Sequence, residues 1–233
     1  MADPLPLVLV PGLGCSARLY RPQIDALWRF GPVTVANHAH DDTMDGIARR
    51  ILADAPPRFA LAGLSMGGFI SFAIMRLAPE RVVRLALLDT NARPDVPERS
   101  AEREKFIAMA QGGQFDEVNA ILTPRYAHPD RLRDKALLKI VDDMAEDTGV
   151  DGFVRQQRAI IGRADSRPML KGIRCPTLVL VGDNDAATPP DLSREMADAI
   201  PGATLVIVKD CGHLSTLEQP EAVNAAMSAW LGG

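Results

Sequence analysis

The sequence predicts an α/β fold, a mostly parallel sheet of about six strands flanked by helices and interrupted once by an all-helical insertion. Three observations lead there. Short aliphatic runs alternate with helix-like stretches up to about residue 90 and again from about residue 175 to the end. The runs Thr177-Leu178-Val179-Leu180-Val181 and Leu205-Val206-Ile207-Val208 are continuously apolar, as expected of parallel strands covered on both faces. Between about Asn91 and Arg174 the strand signal disappears and stretches rich in Glu, Arg, Lys, Ala and Met replace it. The chain therefore divides into a core formed by residues 1–90 and 175–233 and a helical insertion over 91–174.

In order, Leu5 to Val10 is strand-like, Arg18 to Phe30 helical, Val33 to Ala36 a second strand and Met44 to about Ala55 a second helix. Phe59-Ala60-Leu61-Ala62 reads as a short buried strand, and Phe69 to Leu77 repeats its apolar residues densely enough for a packed helix. Val82 to Leu88 gives a fourth strand. Right-handed crossovers are expected throughout. Within the insertion, Gln111-Gly112-Gly113-Gln114 and Thr123-Pro124 punctuate the helical pattern. After the last strand run the chain ends in one more helix.

At 233 residues and 47% hydrophobic, the chain has room for one such core with its insertion. A net charge of −4, from 26 basic and 30 acidic residues with no basic run, argues against nucleic acid or an anionic membrane surface as partner. No apolar stretch reaches the length of a membrane span, and Met1-Ala2-Asp3-Pro4 lacks the charged and apolar pattern of a signal peptide, so a cytoplasmic protein is expected. Cys15, Cys175 and Cys211 are odd in number and lack C-x-x-C spacing, which speaks against a disulfide framework. Cys15 and Cys211 lie near the motifs below and read as small packing residues or as part of their lining. The oligomeric state is open, a homo-oligomer included.

Gly63-Leu64-Ser65-Met66-Gly67 falls between the third strand and its helix. Such a G-x-S-x-G turn is sharp enough to force the serine into strained backbone angles, and side chains at Gly63 and Gly67 would collide with the neighbouring strand and helix. It also sets a hydroxyl beside the Met66 N–H at a helix N-terminus, where unpaired donors and the helix dipole favour negative charge. Serine chemistry of this kind needs an acid and then a histidine on later strand ends. The last two strands lead into Gly182-Asp183-Asn184-Asp185 and Asp210-Cys211-Gly212-His213.

With these motifs the chain resembles the α/β-hydrolase superfamily, specifically its small, cofactor-independent esterase and lactonase branch with a helical cap. The resemblance runs nearly end to end, through the serine turn, the G-x-x-D stretch ending at Asp185 with Thr188-Pro189 after it, and Gly212-His213. It implies an α/β-hydrolase fold, a cap (lid) built over 91–174, and a Ser65, Asp185 and His213 triad without cofactor or metal. Ser65 would attack a carbonyl carbon, His213 would carry the proton, and Asp185 would orient and stabilise the imidazole. Where the family has His-Gly-x, this chain has Pro11-Gly12-Leu13-Gly14. The oxyanion donor in that loop is the backbone N–H after the glycine, so Leu13 and Met66 are the expected pair, and the proline bears on loop rigidity rather than on the reaction. The implied partner is a small-molecule ester or lactone. Thioesterases and C–C bond hydrolases use the same three residues, and a non-catalytic ligand-binding module is the alternative of a different class.

Asp183 and Asp89 are rival acids; the resemblance favours Asp185, leaving Asp183 to bond its own turn. His38-Ala39-His40-Asp41-Asp42 superficially resembles a metallohydrolase signature, but Thr43 follows it, and a solvated loop is expected there. His128 has no visible partner. Phe106, Ile107, Met109, Phe115, Met144 and Phe153 are candidates for pocket walls, although most are expected to form the cap's own small core.

Overall fold

Alternate residues of the central strands face opposite sides of one sheet, and each side has its own core. In the computed structural model, which describes residues 4–233, the strands are β1 (Leu7–Val10), β2 (Val33–Val35), β3 (Phe59–Leu64), β4 (Val82–Leu88), β5 (Thr177–Gly182) and β6 (Thr204–Val208). They form one sheet in the order β2-β1-β3-β4-β5-β6, with every neighbouring pair parallel. Val8, Val10, Leu61, Leu85, Leu87 and Val179 enter one core, while Leu7, Leu9, Ala62, Leu88, Leu178 and Leu180 enter the other. That period of two is why these strands read as unbroken apolar runs. β1 starts two residues later than its apolar run because Pro6 has no N–H to give the ladder.

The first core is closed by α2 (Met44–Asp54), α3 (Met66–Leu77) and α8 (Pro190–Ala199), through Ile47, Ile51, Ile70, Ile74 and Met196. The second is closed by α1 (Arg21–Leu27) and α10 (Pro220–Gly232), through Leu27, Val223 and Met227. The expected helix over Arg18–Phe30 is α1 flanked by 3₁₀ turns at Ala17–Tyr20 and Trp28–Phe30. Thr43 caps α2 by accepting the Gly46 N–H, which fixes its start.

Four helices lie between β4 and β5: α4 (Pro97–Gln111), α5 (Phe115–Tyr126), α6 (Lys135–Ile161) and α7 (Arg167–Leu170). Gly149, with φ of 65°, breaks α6 in its middle. Phe106, Ala110, Val118, Leu122 and Phe153 form a small third core among these helices. α6 also sends Ala159 and Ile160 into the first sheet core and Met144 into the second, while its Phe153 belongs to the third. A short helix, α9 (Ser215–Glu218), joins β6's loop to α10. No helix of the described residues is long and apolar enough to cross a membrane. The opening residues 1–3, on which the signal-peptide reading rested, lie outside the described residues.

Candidate active site

Ser65 stands between β3 and α3 with φ of 55° and ψ of −114°, a strained conformation for a side-chain-bearing residue. The turn is held from both sides. Ser65 N–H donates to Leu88 O (2.9 Å), and Ser65 O accepts from the Thr90 hydroxyl (2.8 Å) and the Gly68 N–H (2.9 Å). A Cβ on Gly63 would strike the Gly67 carbonyl, and one on Gly67 would strike the carbonyls of Val10 and Pro11. These contacts are the steric reason for glycine at both positions. Met66 opens α3, so its N–H is a first-turn donor without a helical acceptor.

His213 lies between Ser65 and Asp185, with Nε2 at 2.8 Å from Ser65 Oγ and Nδ1 at 2.8 Å from Asp185 Oδ2. A carboxylate only accepts, so Nδ1 carries the proton and Nε2 is free to take one from the serine hydroxyl. Asp185 is held in turn by the N–H groups of Ala187 (2.9 Å) and Thr188 (2.8 Å) and by the Thr188 hydroxyl (2.7 Å). Burial pushes the Asp185 carboxyl up, but His213 and the Thr188 donors outweigh it and hold it below its usual range. Burial would likewise push the His213 imidazole down, and Asp185, with smaller contributions from Asp89 and Glu218, raises it above its ordinary 6.5 instead. The three groups can therefore pass a proton between an alcohol and an imidazole while the carboxylate stays charged.

The rival acids are occupied elsewhere. Asp183 accepts from the Cys211 N–H (3.1 Å) and the Asn184 amide (2.8 Å), tying its own turn to the one that carries His213. Asp89 is fully buried, takes the Gly182 N–H (3.0 Å) and the Ser215 hydroxyl, and is pushed up to about 8 by burial and by Asp185. Glu218 escaped the sequence reading. Its buried carboxylate gathers the N–H groups of His128 (2.9 Å), Gly212 (3.1 Å) and Leu214 (3.1 Å), so it clamps the His213 loop on both sides. His128 is thus partnered through its backbone, and its Nδ1 accepts the Asp130 N–H (3.2 Å).

The loop Pro11-Gly12-Leu13-Gly14 passes beside the serine, since a Cβ on Gly12 would lie 3.5 Å from the Ser65 Cβ. It is braced by two residues. His38 Nε2 lies 2.9 Å from Gly12 O, and Gly14 N–H donates to Gln156 Oε1 at 2.9 Å. His38 therefore corrects the expectation of a solvated loop: it is 3% exposed, and burial lowers its imidazole to about 4. His40 is exposed, and no group of three or more His, Cys, Asp or Glu among the described residues could hold a metal ion. The Leu13 and Met66 N–H groups donate to no acceptor among the described residues.

Over Ser65 and His213 lies a cavity of about 440 Å³, walled by Leu13, Phe69 and residues of α4, α5 and α6. Of the six apolar wall candidates only Phe106 lines it. Phe115 and Phe153 pack on each other at 5.2 Å between ring centroids, and Met144 joins the second sheet core. Tyr126 covers the imidazole, its ring 5.3 Å from that of His213, and its carbonyl accepts the His213 N–H (2.8 Å). Cys15 and Cys211 are buried packing residues outside the cavity wall, and burial pushes both thiols well up, Cys15 to about 12.

A single parallel sheet with a serine at the β3 turn and an acid and histidine after β5 and β6 defines an α/β hydrolase, and the family model of that name matches residues 7–226. The chain belongs to the alpha/beta hydrolase family. It is 30% identical to a putative non-heme bromoperoxidase of Mycobacterium tuberculosis, over 95% of this chain and 92% of that one. Among solved structures it is similar to the enol-lactonase from Burkholderia xenovorans, with a TM-score of 0.89 and 28% identity over 100% of this chain and 93% of the other. It is also similar to a thermophilic esterase from Thermogutta terrifontis, with a TM-score of 0.88 and 29% identity over 98% and 89% of the two chains.

Proposed function

We propose that the protein is a serine hydrolase that cleaves a small or medium carboxylic ester or lactone through an acyl-enzyme. Ser65 Oγ attacks the carbonyl carbon while His213 Nε2 takes its proton, and the N–H groups of Leu13 and Met66 receive the resulting oxyanion. The C–O bond then breaks, and His213 returns the proton to the departing alkoxide. Water adds to the acyl carbon, its proton passing to His213, and loss of Ser65 with that proton frees the acid. The helices over 91–174 serve as a lid that excludes water and shapes the pocket above the core of 1–90 and 175–233.

The observation that carries this reading is the pair of 2.8 Å contacts by which His213 spans Ser65 and Asp185. The likeness to an esterase and an enol-lactonase supports the ester or lactone as substrate. Steady-state kinetics on a panel of nitrophenyl esters and lactones test it. Ser65→Ala is expected to lower kcat by roughly 10⁴- to 10⁶-fold with the fold kept. Near-native turnover by a folded Ser65→Ala protein would overturn the proposal.

A further inference from the structure

The wall of the cavity is cationic in a way the cleavage of a neutral ester does not require. Arg99, Arg103, Arg125 and Arg163 all line it, and Glu102 is the one carboxylate among the lining residues. Glu102 pairs with Arg125 at 2.9 Å. Behind the wall, Asp95, its side chain 1% exposed, holds both Arg103 (3.1 Å) and Arg163 (2.7 Å). Arg99 makes no ion pair among the described residues, touching only the Ala187 carbonyl at 3.5 Å. Two carboxylates therefore face four guanidinium groups.

A second, independent feature points the same way. Gln157 is fully buried in this wall, and its Nε2 has no hydrogen-bond partner among the described residues. The orientation of the amide is set by Arg103, whose Nη1 donates to Gln157 Oε1 at 2.8 Å. A flipped amide would oppose donor to donor, so it is the NH₂ that is left unsatisfied. A buried donor of this kind is costly unless a ligand acceptor meets it. Guanidinium forks beside an amide donor match the oxygens of a carboxylate.

We propose that this cavity selects an ester or lactone that carries a free carboxylate elsewhere in the molecule, received by Gln157 Nε2 with the guanidinium groups of Arg99 and Arg103. The inference rests on the reading of Ser65 as nucleophile and deepens it. Asp95 acts as a positioning residue, since it holds Arg103 and Arg163 against the wall rather than touching the ligand. Arg103 is already held by Asp95 and by Gln157 Oε1, so the carboxylate's pairing with it costs little reorganisation.

The test uses 4-nitrophenyl monoesters of succinic, glutaric and adipic acid, each against its partner with the free carboxyl capped as a methyl ester. At low ionic strength at least one monoester is expected to exceed its capped partner in kcat/KM by about tenfold or more, the scale of a hydrogen bond to a charged group. Added salt and the substitutions Arg99→Gln and Gln157→Leu should each draw that ratio towards one. Arg99 is exposed and unpaired, so its variant reports on selectivity even if Gln157→Leu folds poorly. Turnover of both ester types without preference would overturn the inference and leave the hydrolase intact. If neither type is turned over, the hydrolase reading fails, and titration of the protein with glutarate decides the inference alone. Salt-sensitive binding weakened by Arg99→Gln would sustain it, and no binding up to about 10 mM would end it.

Discussion

Oδ2 of Asp185 lies 2.8 Å from Nδ1 of His213, whereas Asp183, two residues earlier, bonds the backbone of Cys211. The two carboxylates share one loop and have separate work. Asp185→Asn is expected to lower kcat by roughly 10³- to 10⁴-fold, because an amide can present its NH₂ to the ring and favour the wrong tautomer. Asp183→Asn should chiefly lower thermal stability, as it weakens the link between the β5 and β6 turns. Kinetics on the two variants in parallel check this, and equal losses would reassign the acid.

In the proposed mechanism the acid limb of the rate profile is set by His213. Its raised pKa means that kcat/KM should climb with pH through a midpoint above the ordinary histidine value of 6.5. Removing the Asp185 charge removes the largest raising influence, so the residual activity of Asp185→Asn should show a midpoint moved to lower pH. A profile flat from pH 5 to 8 would contradict a histidine base.

The brace on the Leu13 loop gives a third expectation. Gln156→Leu leaves the Gly14 N–H without its acceptor, and loss of loop order should lower kcat by about tenfold or more, up to the roughly 10²- to 10³-fold that outright removal of an oxyanion donor costs. His38 adds a pH signature. It is held neutral when folded, with its pKa lowered from 6.5 to about 4, so its contribution to stability is complete above 6.5 and is lost as pH falls towards 4. The loss amounts to roughly 3 kcal/mol at most. Denaturant unfolding of the native protein and of His38→Gln over that window should give a shallower pH slope for the variant.

The glycines of the serine turn are testable by stability alone. Gly67→Ala drives a methyl group into the Val10 and Pro11 carbonyls, neither of which can swing aside, and should cost about 3 kcal/mol or prevent folding. Gly162→Ala, whose nearest neighbour is the Arg158 carbonyl at 3.7 Å, should stay within about 0.5 kcal/mol of the native protein. Thermal unfolding compares them directly.

The sheet was legible because each central strand is buried on both sides, which leaves an uninterrupted apolar run such as Thr177–Val181. Ser65, Asp185 and His213 stood out because each sits in the turn or loop that follows an apolar run, although β6, which precedes His213, is a half-buried edge strand and not one covered on both faces. Residues that act across the join between sheet and inserted helices were not. His38 and Gln156 are 118 positions apart and meet only on folding, so the local polarity of His38-Ala39-His40-Asp41-Asp42 read as solvent exposure. A usable signal did exist in Gln156-Gln157, two amides set between Phe153-Val154 and Ala159-Ile160 on a buried face. Glu218 is similar, a carboxylate in the short helix before α10 whose burial makes sense only once three N–H groups converge on it. The arginines of the pocket wall could not be singled out, because helical spacing alone does not separate the cavity face from the solvent face.

Covalent labelling with a fluorophosphonate, read by intact-protein mass and peptide mapping, tests most directly whether these three side chains activate a hydroxyl. One adduct per chain is expected, on Ser65, absent from Ser65→Ala and slowed in Asp185→Asn. A folded native protein that remains unlabelled, or that carries its adduct on another residue, would contradict it.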